Sequence, residues 1–518
     1  MNVSRRNVLV SSAAIAAAFI LGVRADRAAA AGVTKLRIPM NTDISSLDPA
    51  WFIGGGAESM TLFATMPVLA RPVQGADGTW SWEPSEYVDH LEQRDDLHID
   101  FRLKPGFMWS DDGGEITAED VKFSFERYIG SDWATRWPTL DRVDITDRYS
   151  GTIVLKEPFV ALWTMTLAFD SGFILPKKKI EALPEARYTT SLPAQCGPYR
   201  LTRWEPQRRL VLTRNPDWTA TTPAFEEIEI VMVADIKAGE LALQAGELDI
   251  ADLQPETAAN FDKSPLPDVS LVTVPGAYYQ WIGMNVEHPK LADIRVRKAI
   301  QRGIDMASVV EGAYAGTAIV AGGIVPPGIL GHRKEAGYAY APDEARALLA
   351  EAGVSGLSLD LRYDVTNNAD AIIAQIVQAN LADIGIMVDL KPTDSGVYWN
   401  LGLESKGSDW KGLQLTIMAY RTGPDPADAL QWFHSDQVGI WNWERWKSEE
   451  WDKLWAQALG EKDPAERGSM YLRMQELMEE SGAYVWVTYW PRLYGVSKRI
   501  HPAFYPGGDY RLEHFAPA

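Results

Sequence analysis

Apolar and polar positions along this chain switch repeatedly between a two-residue and a 3.6-residue period. KLRIPM (35–40) alternates as a half-buried strand and leads into the loop SSLDPAW; IDFRL (99–103) and RLVLT (209–213) read the same way. KPGFMWSDDGGE is turn-rich, and RNPDW makes another turn. Thr117, with Asp120 three residues on, forms a capping-box pattern and predicts a helix through EDVKFSFERY. From Asp293 the run IRVRKAIQRGIDMASVV predicts one helix, with Val296, Ile300, Ile304 and Ala307 on the inner stripe and Arg295, Lys298, Gln301 and Arg302 turned outward. Pro342 and Gly353 bracket a further helix through DEARALLAEA. The stretch Ala369 to Ile384 directs Ile372, Ile373, Ile376, Val377 and Leu381 inward. Gly385 stops it, and the strand IMVDL (386–390) follows at once, an α/β building block.

No fixed-period repeat, low-complexity tract or heptad run interrupts this alternation, and Gly and Pro are scattered as punctuation. The fold class expected is therefore α/β with intertwined domains. The first 31 residues stand apart: Arg5-Arg6, an Ala-rich apolar stretch from Val8 to Val23, then a small-residue run. That pattern predicts a secretory leader of the twin-arginine type, with cleavage expected near Gly32, and no Cys follows for lipid attachment. Its apolar stretch, diluted by Ser11, Ser12 and Gly22, is short for a membrane anchor. A mature chain of about 487 residues exceeds what one core supports, so two or three domains are expected.

Removing the leader takes away four arginines and one aspartate and leaves 46 basic against 69 acidic residues, a net charge of −23. Such a surface repels nucleic acid and anionic lipid and suits a soluble monomer. Cys196 is the only cysteine, so no intrachain disulfide forms. The 20 Trp, 19 Tyr and 15 Phe are the compositional outlier; most belong in cores, and their number also suits a ring-lined cleft.

Catalytic machinery is missing. The sequence has no G-x-S-x-G, H-E-x-x-H, G-x-x-x-x-G-K or G-x-G-x-x-G, and its seven histidines are dispersed, so no catalytic residue, metal ligand or cofactor is expected. Asp111-Asp112 and Glu449-Glu450 read as solvated charges. A glycosidase's paired carboxylates need only meet in space, which keeps an exported hydrolase as an alternative.

Read in order, several blocks resemble the extracellular solute-binding proteins (family 5, peptide/nickel type) of ABC importers: SSLDPAW, FRLKPGFMWSDDGGEITAEDVKFSFERY (101–128), CGPYRLTRWEPQRRLVLTRNPDW (196–218), GELDIA (246–251), NVEHPKLADIRVRKAIQRGIDMASVVEGAYAG (285–316) and YRTGPDPADAL (420–430). The resemblance implies a two-lobed periplasmic binding protein fold with an extra subdomain in lobe I. Lobe I would span 32–280, with the insert at about 55–190, completed by 489–518; lobe II would span 281–488. Hinge crossings would fall near Tyr279 to Gly283 and Thr488 to Pro491. Implied partners are a small-molecule ligand, held between lobes and delivered unchanged, and a membrane-embedded ABC permease. A binding module for a chemoreceptor is the other alternative.

In peptide-binding members an aspartate three residues before a D-P or E-P pair holds the peptide's ammonium; here the pair is Asp425-Pro426 and the matching position is Thr422. A hydroxyl cannot neutralise a buried ammonium. Arg421 beside it suits a carboxylate, so a ligand anionic at this loop, or a neutral polyhydroxylated one stacked on Trp, is expected, unless Asp425 or Asp428 takes the ammonium. Candidates are modified amino acids, sugar–amino acid conjugates and short oligosaccharides. Trp51, Phe52 and the Gly54-Gly55-Gly56 loop would face the cleft from lobe I, and Trp399, Tyr420, Trp443 and Trp446 from lobe II, with Trp443 and Trp446 on one side if helical. Tyr279 and Trp281 lie at the expected hinge.

Overall fold

The computed structural model describes residues 33–518 except 52–55, 75–79, 132, 275 and 506. The expected leader, with Arg5 and Arg6, lies outside the described residues, as do Phe52, Gly54 and Gly55. After β1 (Lys35–Met40) and α1 (Gly56–Thr65), an antiparallel sheet forms from β2 (Val88–Asp95), β3 (His98–Leu103), β4 (Leu140–Ile145) and β5 (Ser150–Leu155), ordered β2-β3-β5-β4. Helix α2 (Ala118–Glu126) packs on β4. The chain returns through β6 (Tyr199–Glu205), β7 (Arg209–Arg214) and β8 (Glu227–Met232), and β8 pairs parallel with β1, Lys35 opposite Glu227. Next come α3 (Ile236–Gln244), β9 (Ile250–Asp252) and β10 (Val269–Val274).

The second half holds β11 (Tyr278–Met284), α4 (Ile294–Gly303), α5 (Met306–Tyr314), β12 (Ile319–Val320), α6 (Pro342–Glu351), β13 (Leu357–Asp364), α7 (Asn368–Asp383), β14 (Ile386–Thr393), β15 (Leu415–Arg421), α8 (Pro426–Leu430), α9 (Glu449–Gly460), α10 (Pro464–Glu480) and β16 (Tyr484–Tyr489). Its six strands are ordered β12-β16-β11-β15-β13-β14. The last long strand, β17 (Arg492–Ser497), returns to the first half and pairs antiparallel with both β9 and β10. The chain thus passes between the three-stranded and six-stranded sheets twice, between Val274 and Tyr278 and between Tyr489 and Arg492. Among the described residues no helix is long and apolar enough to cross a membrane.

Thr117 caps α2, its backbone N–H donating to Asp120 Oδ2 at 2.9 Å. Pro342 opens α6 and Gly353 follows its end at φ 69°. Ile373, Val377 and Leu381 of α7 are fully buried, Ile372 and Ile376 partly.

The helix expected from Asp293 onward is two helices. Ile304 is extended (φ −108°, ψ 121°) and Asp305 caps α5 through its side chain. The break rotates the second segment, so Ala307 is exposed while Val309 and Val310 are buried. Gln301, expected outward, is buried, and its Nε2 donates to the carbonyls of Glu479 (3.2 Å) and Tyr484 (2.8 Å). These carbonyls at the α10–β16 connection draw a long polar side chain inward.

Candidate ligand-binding site

A cavity of about 860 Å³ opens between the two halves, where the chain crosses from one to the other. One wall carries Met40, Met60 of α1 and the start of α3; the opposite wall carries Tyr314 of α5 and the start of α7. Both crossings contribute, through Tyr278 and Trp490. At the first crossing a side chain at Gly276 would overlap the carbonyl oxygen of Trp490, so the absent Cβ lets the two segments touch.

Three rings form a column on the wall. Tyr278 and Trp490 stack at 5.0 Å with an interplanar angle of 15°, and Tyr314 continues at 6.1 Å and 16°. Behind them runs a polar relay. Tyr314 Oη donates to Gln280 Oε1 (2.9 Å), Gln280 Nε2 donates to Asp370 Oδ1 (2.7 Å), and Asn367 Nδ2 donates to the same oxygen (2.9 Å). Asn367 also caps α7, accepting from the Ala369 N–H. Burial raises the Asp370 carboxyl well above the usual range, and the relay ties two wall residues, Tyr314 and Asn367, to this acid.

Two guanidinium groups face the cavity, and both have carboxylate partners. Arg492 pairs with Asp252 at 3.0 Å. Arg421 donates to Asp170 Oδ2 at 2.9 Å and pairs through its other amino group with Asp509. Its neighbours by sequence are engaged elsewhere. Thr422 is buried, its hydroxyl donating to the Gly423 carbonyl at 3.0 Å. Asp425 accepts two bonds from Arg467 (2.9 and 2.8 Å), and Asp428 pairs with Arg136 while accepting the Gly423 N–H at 2.6 Å.

Of the site residues named from sequence, Gly56 and Arg421 line this cavity and the other described ones do not. Trp51 sits between Arg127 and Arg187, 4.9 and 4.1 Å from its ring centre. Tyr279 and Trp281 are buried, stacked at 5.6 Å on the face of β11 opposite Tyr278. Tyr279 Oη donates to the Ala429 carbonyl (2.8 Å) and Trp281 Nε1 to Glu444 Oε1 (2.7 Å). Tyr420 and Trp399 are half-buried, their polar atoms donating to the Trp441 carbonyl (3.1 Å) and to Asp364 (3.2 Å).

Trp443 is buried and bonded to the Ile440 carbonyl, and Trp446 packs on Trp451 and Tyr484. The segment holding them is a series of turns rather than a helix, so the shared side expected for the pair has no helical basis. Sequence reading passed over Tyr278, Trp490, Asn367 and Asp509. Strand alternation in AYYQW offered Tyr278 as readily as Tyr279, and Trp490 lay within the expected second crossing.

The sequence profile of the bacterial extracellular solute-binding proteins, family 5 (middle part), matches residues 80–439. The chain belongs to that family. Among curated relatives, the probable D,D-dipeptide-binding periplasmic protein DdpA of Escherichia coli (strain K12) is 27% identical over 457 residues, covering 86% of each chain. The oligopeptide-binding protein AppA of Bacillus subtilis, solved with a nonapeptide, superposes with a TM-score of 0.80 at 21% identity, over 93% of this chain and 99% of that one. MoaA of A. tumefaciens R10, solved with mannopinic acid, gives 0.80 at 21%, over 94% and 100%. The α/β two-lobed binding-protein fold expected from the sequence is the fold found, and the family is one of solute-binding proteins rather than enzymes.

Proposed function

We propose that this chain is the periplasmic capture component of an ABC importer, taking a small polar solute between its lobes and presenting the closed form to a membrane permease. Lobe I is residues 32–280 with an inserted subdomain at about 55–190 and completed by 489–518; lobe II is 281–488. The twin-arginine leader exports the chain, which works as a monomer. The ligand is peptide-like, an amino-acid conjugate or an oligosaccharide, in keeping with relatives whose names specify a D,D-dipeptide or whose structures hold a nonapeptide or mannopinic acid.

The cavity carries this reading, because its wall is drawn from both halves and both crossings. A ligand shifts an open–closed equilibrium only through contacts that differ between the two states, and contacts shared by two lobes exist only when they close. Its size falls within the range of about 300–1,000 Å³ usual for small-molecule sites. A thermal-shift screen across peptides, opine-like conjugates, oligosaccharides and metal chelates, followed by small-angle scattering with the best binder, tests it. The expected result is a stabilisation of about 2.7 kcal/mol at 100 times Kd, a smaller radius of gyration and a ligand recovered intact. An unchanged envelope at saturation, or a cleaved ligand, overturns it.

A further inference from the structure

We propose that the ligand bears a cationic amine, held at Asp509 beside the Tyr278–Trp490–Tyr314 ring column, and that Arg421 positions this acid instead of binding an anion. The inference rests on the solute-binding reading and deepens it by fixing the ligand's charge.

Arg421 is the one residue at the 420–422 loop whose chemistry invites a carboxylate, yet the fold already gives it two. Asp170 is 8% exposed and accepts from Arg421 at 2.9 Å; Asp509, on the C-terminal segment, takes the other amino group. An incoming anion would displace one of these and strand a carboxylate in a largely dry setting, a strongly unfavourable exchange. Arg492 is likewise matched by Asp252 at 3.0 Å.

Among the described residues four carboxylates line the cavity, those of Asp235, Asp252, Glu256 and Asp509, against two guanidiniums. Asp235 and Glu256 have no ion-pair partner among the described residues, and Asp170 behind Arg421 adds one more negative charge. The excess is therefore negative, and a cleft lined by one sign of charge in excess attracts a cation.

Ring faces point the same way. Tyr278 lies opposite Arg421 in the β11–β15 ladder, so the column begins beside the Arg421–Asp509 pair. Aromatic faces attract cations, and the Arg492 guanidinium already stands 5.9 Å from the centre of the Tyr278 ring, a place a carboxylate would not take. The acid missing at Thr422 is thus supplied by a segment 87 residues further along, brought in by the return of β17 to the first half.

Matched probes differing in charge test this at pH 7 in about 0.1 M salt: trialanine amide against N-acetyl-trialanine, and glucamine against gluconate. Thermal shift and calorimetry should show binding by the amine-bearing member of at least one pair and none by its carboxylate counterpart. Asp509→Asn should weaken that binding about tenfold. Glu256→Gln, at an exposed position with no ion pair to break, should weaken it about twofold while leaving the melting temperature of the empty protein unchanged. Carboxylate probes binding as tightly as amines, or unaltered amine affinity in a folded Asp509→Asn, overturn the charge assignment and leave solute binding standing. No shift with any probe overturns both.

Discussion

Glu444 is a carboxyl group enclosed by the aromatic floor beneath the crossing strands. One oxygen accepts from Trp281 Nε1 and the other has no partner among the described residues; the absent side chain at Gly283 makes the space it occupies. Burial raises it to about 7. Its folded value lies above the unfolded one, so the native state holds the proton more tightly and stability falls as pH rises from about 4.5 through about 7. Glu444→Gln should remove that part of the pH dependence, about 3 kcal/mol at most, and melting curves between pH 5 and 8 would show the wild type declining more steeply than the variant. His434 adds a decline of the same sign. Its hydrogen bond to Asp436 raises its titration point, so the stability it contributes is full below about 6.5 and is lost as pH rises through the folded value. The imidazole proton shifts in both proteins separate the two groups.

At the scale of elements, legibility in the sequence followed locality. The capping box at Thr117, the Pro–Gly bracket of α6 and the Gly385 stop are decided by neighbours within a few residues, and each stands where its pattern placed it. The α4–α5 break was not legible, because its apolar spacing runs on through Ile304 and the kink exists to seat α5 on α7. Gln301 was misread for the same reason: its partners are backbone carbonyls 178 and 183 residues away. Gln301→Leu should therefore cost about 2 kcal/mol by leaving those carbonyls unsatisfied, measurable as a lower urea midpoint at unchanged m-value. A loss under about 0.5 kcal/mol, usual for a surface position, would mean the carbonyls find water instead.

For the whole molecule, closure depends on contacts between halves. Arg136, ahead of β4, pairs with Asp428 of α8, and Val160 N–H donates to the Leu459 carbonyl at 2.8 Å. Arg136→Ala leaves Asp428 without its guanidinium and should shift the population toward the open form. A larger radius of gyration without ligand and a severalfold weaker Kd are the expected readouts, and an unchanged envelope would remove this pair from the closure account. At Gly276 any side chain meets the Trp490 carbonyl, so Gly276→Val should separate the crossings and reduce ligand-induced compaction.

The candidate site was only partly legible. The two crossings, the departure at Thr422 and the prominence of Arg421 are sequence features, whereas the phase of β11 placed Tyr278 on the wall and Tyr279 and Trp281 in the floor. By itself the sequence determined the fold class, the family, the local starts and stops of helices, and the absence of familiar catalytic motifs, because propensities, turn chemistry and family strings are written in adjacent residues. Only the tertiary structure decided which rings face the cavity and whether Arg421 is free. Those questions turn on partners such as Asp170 and Asp509, which lie 251 residues before and 88 after it in the chain and meet it only when both halves have folded.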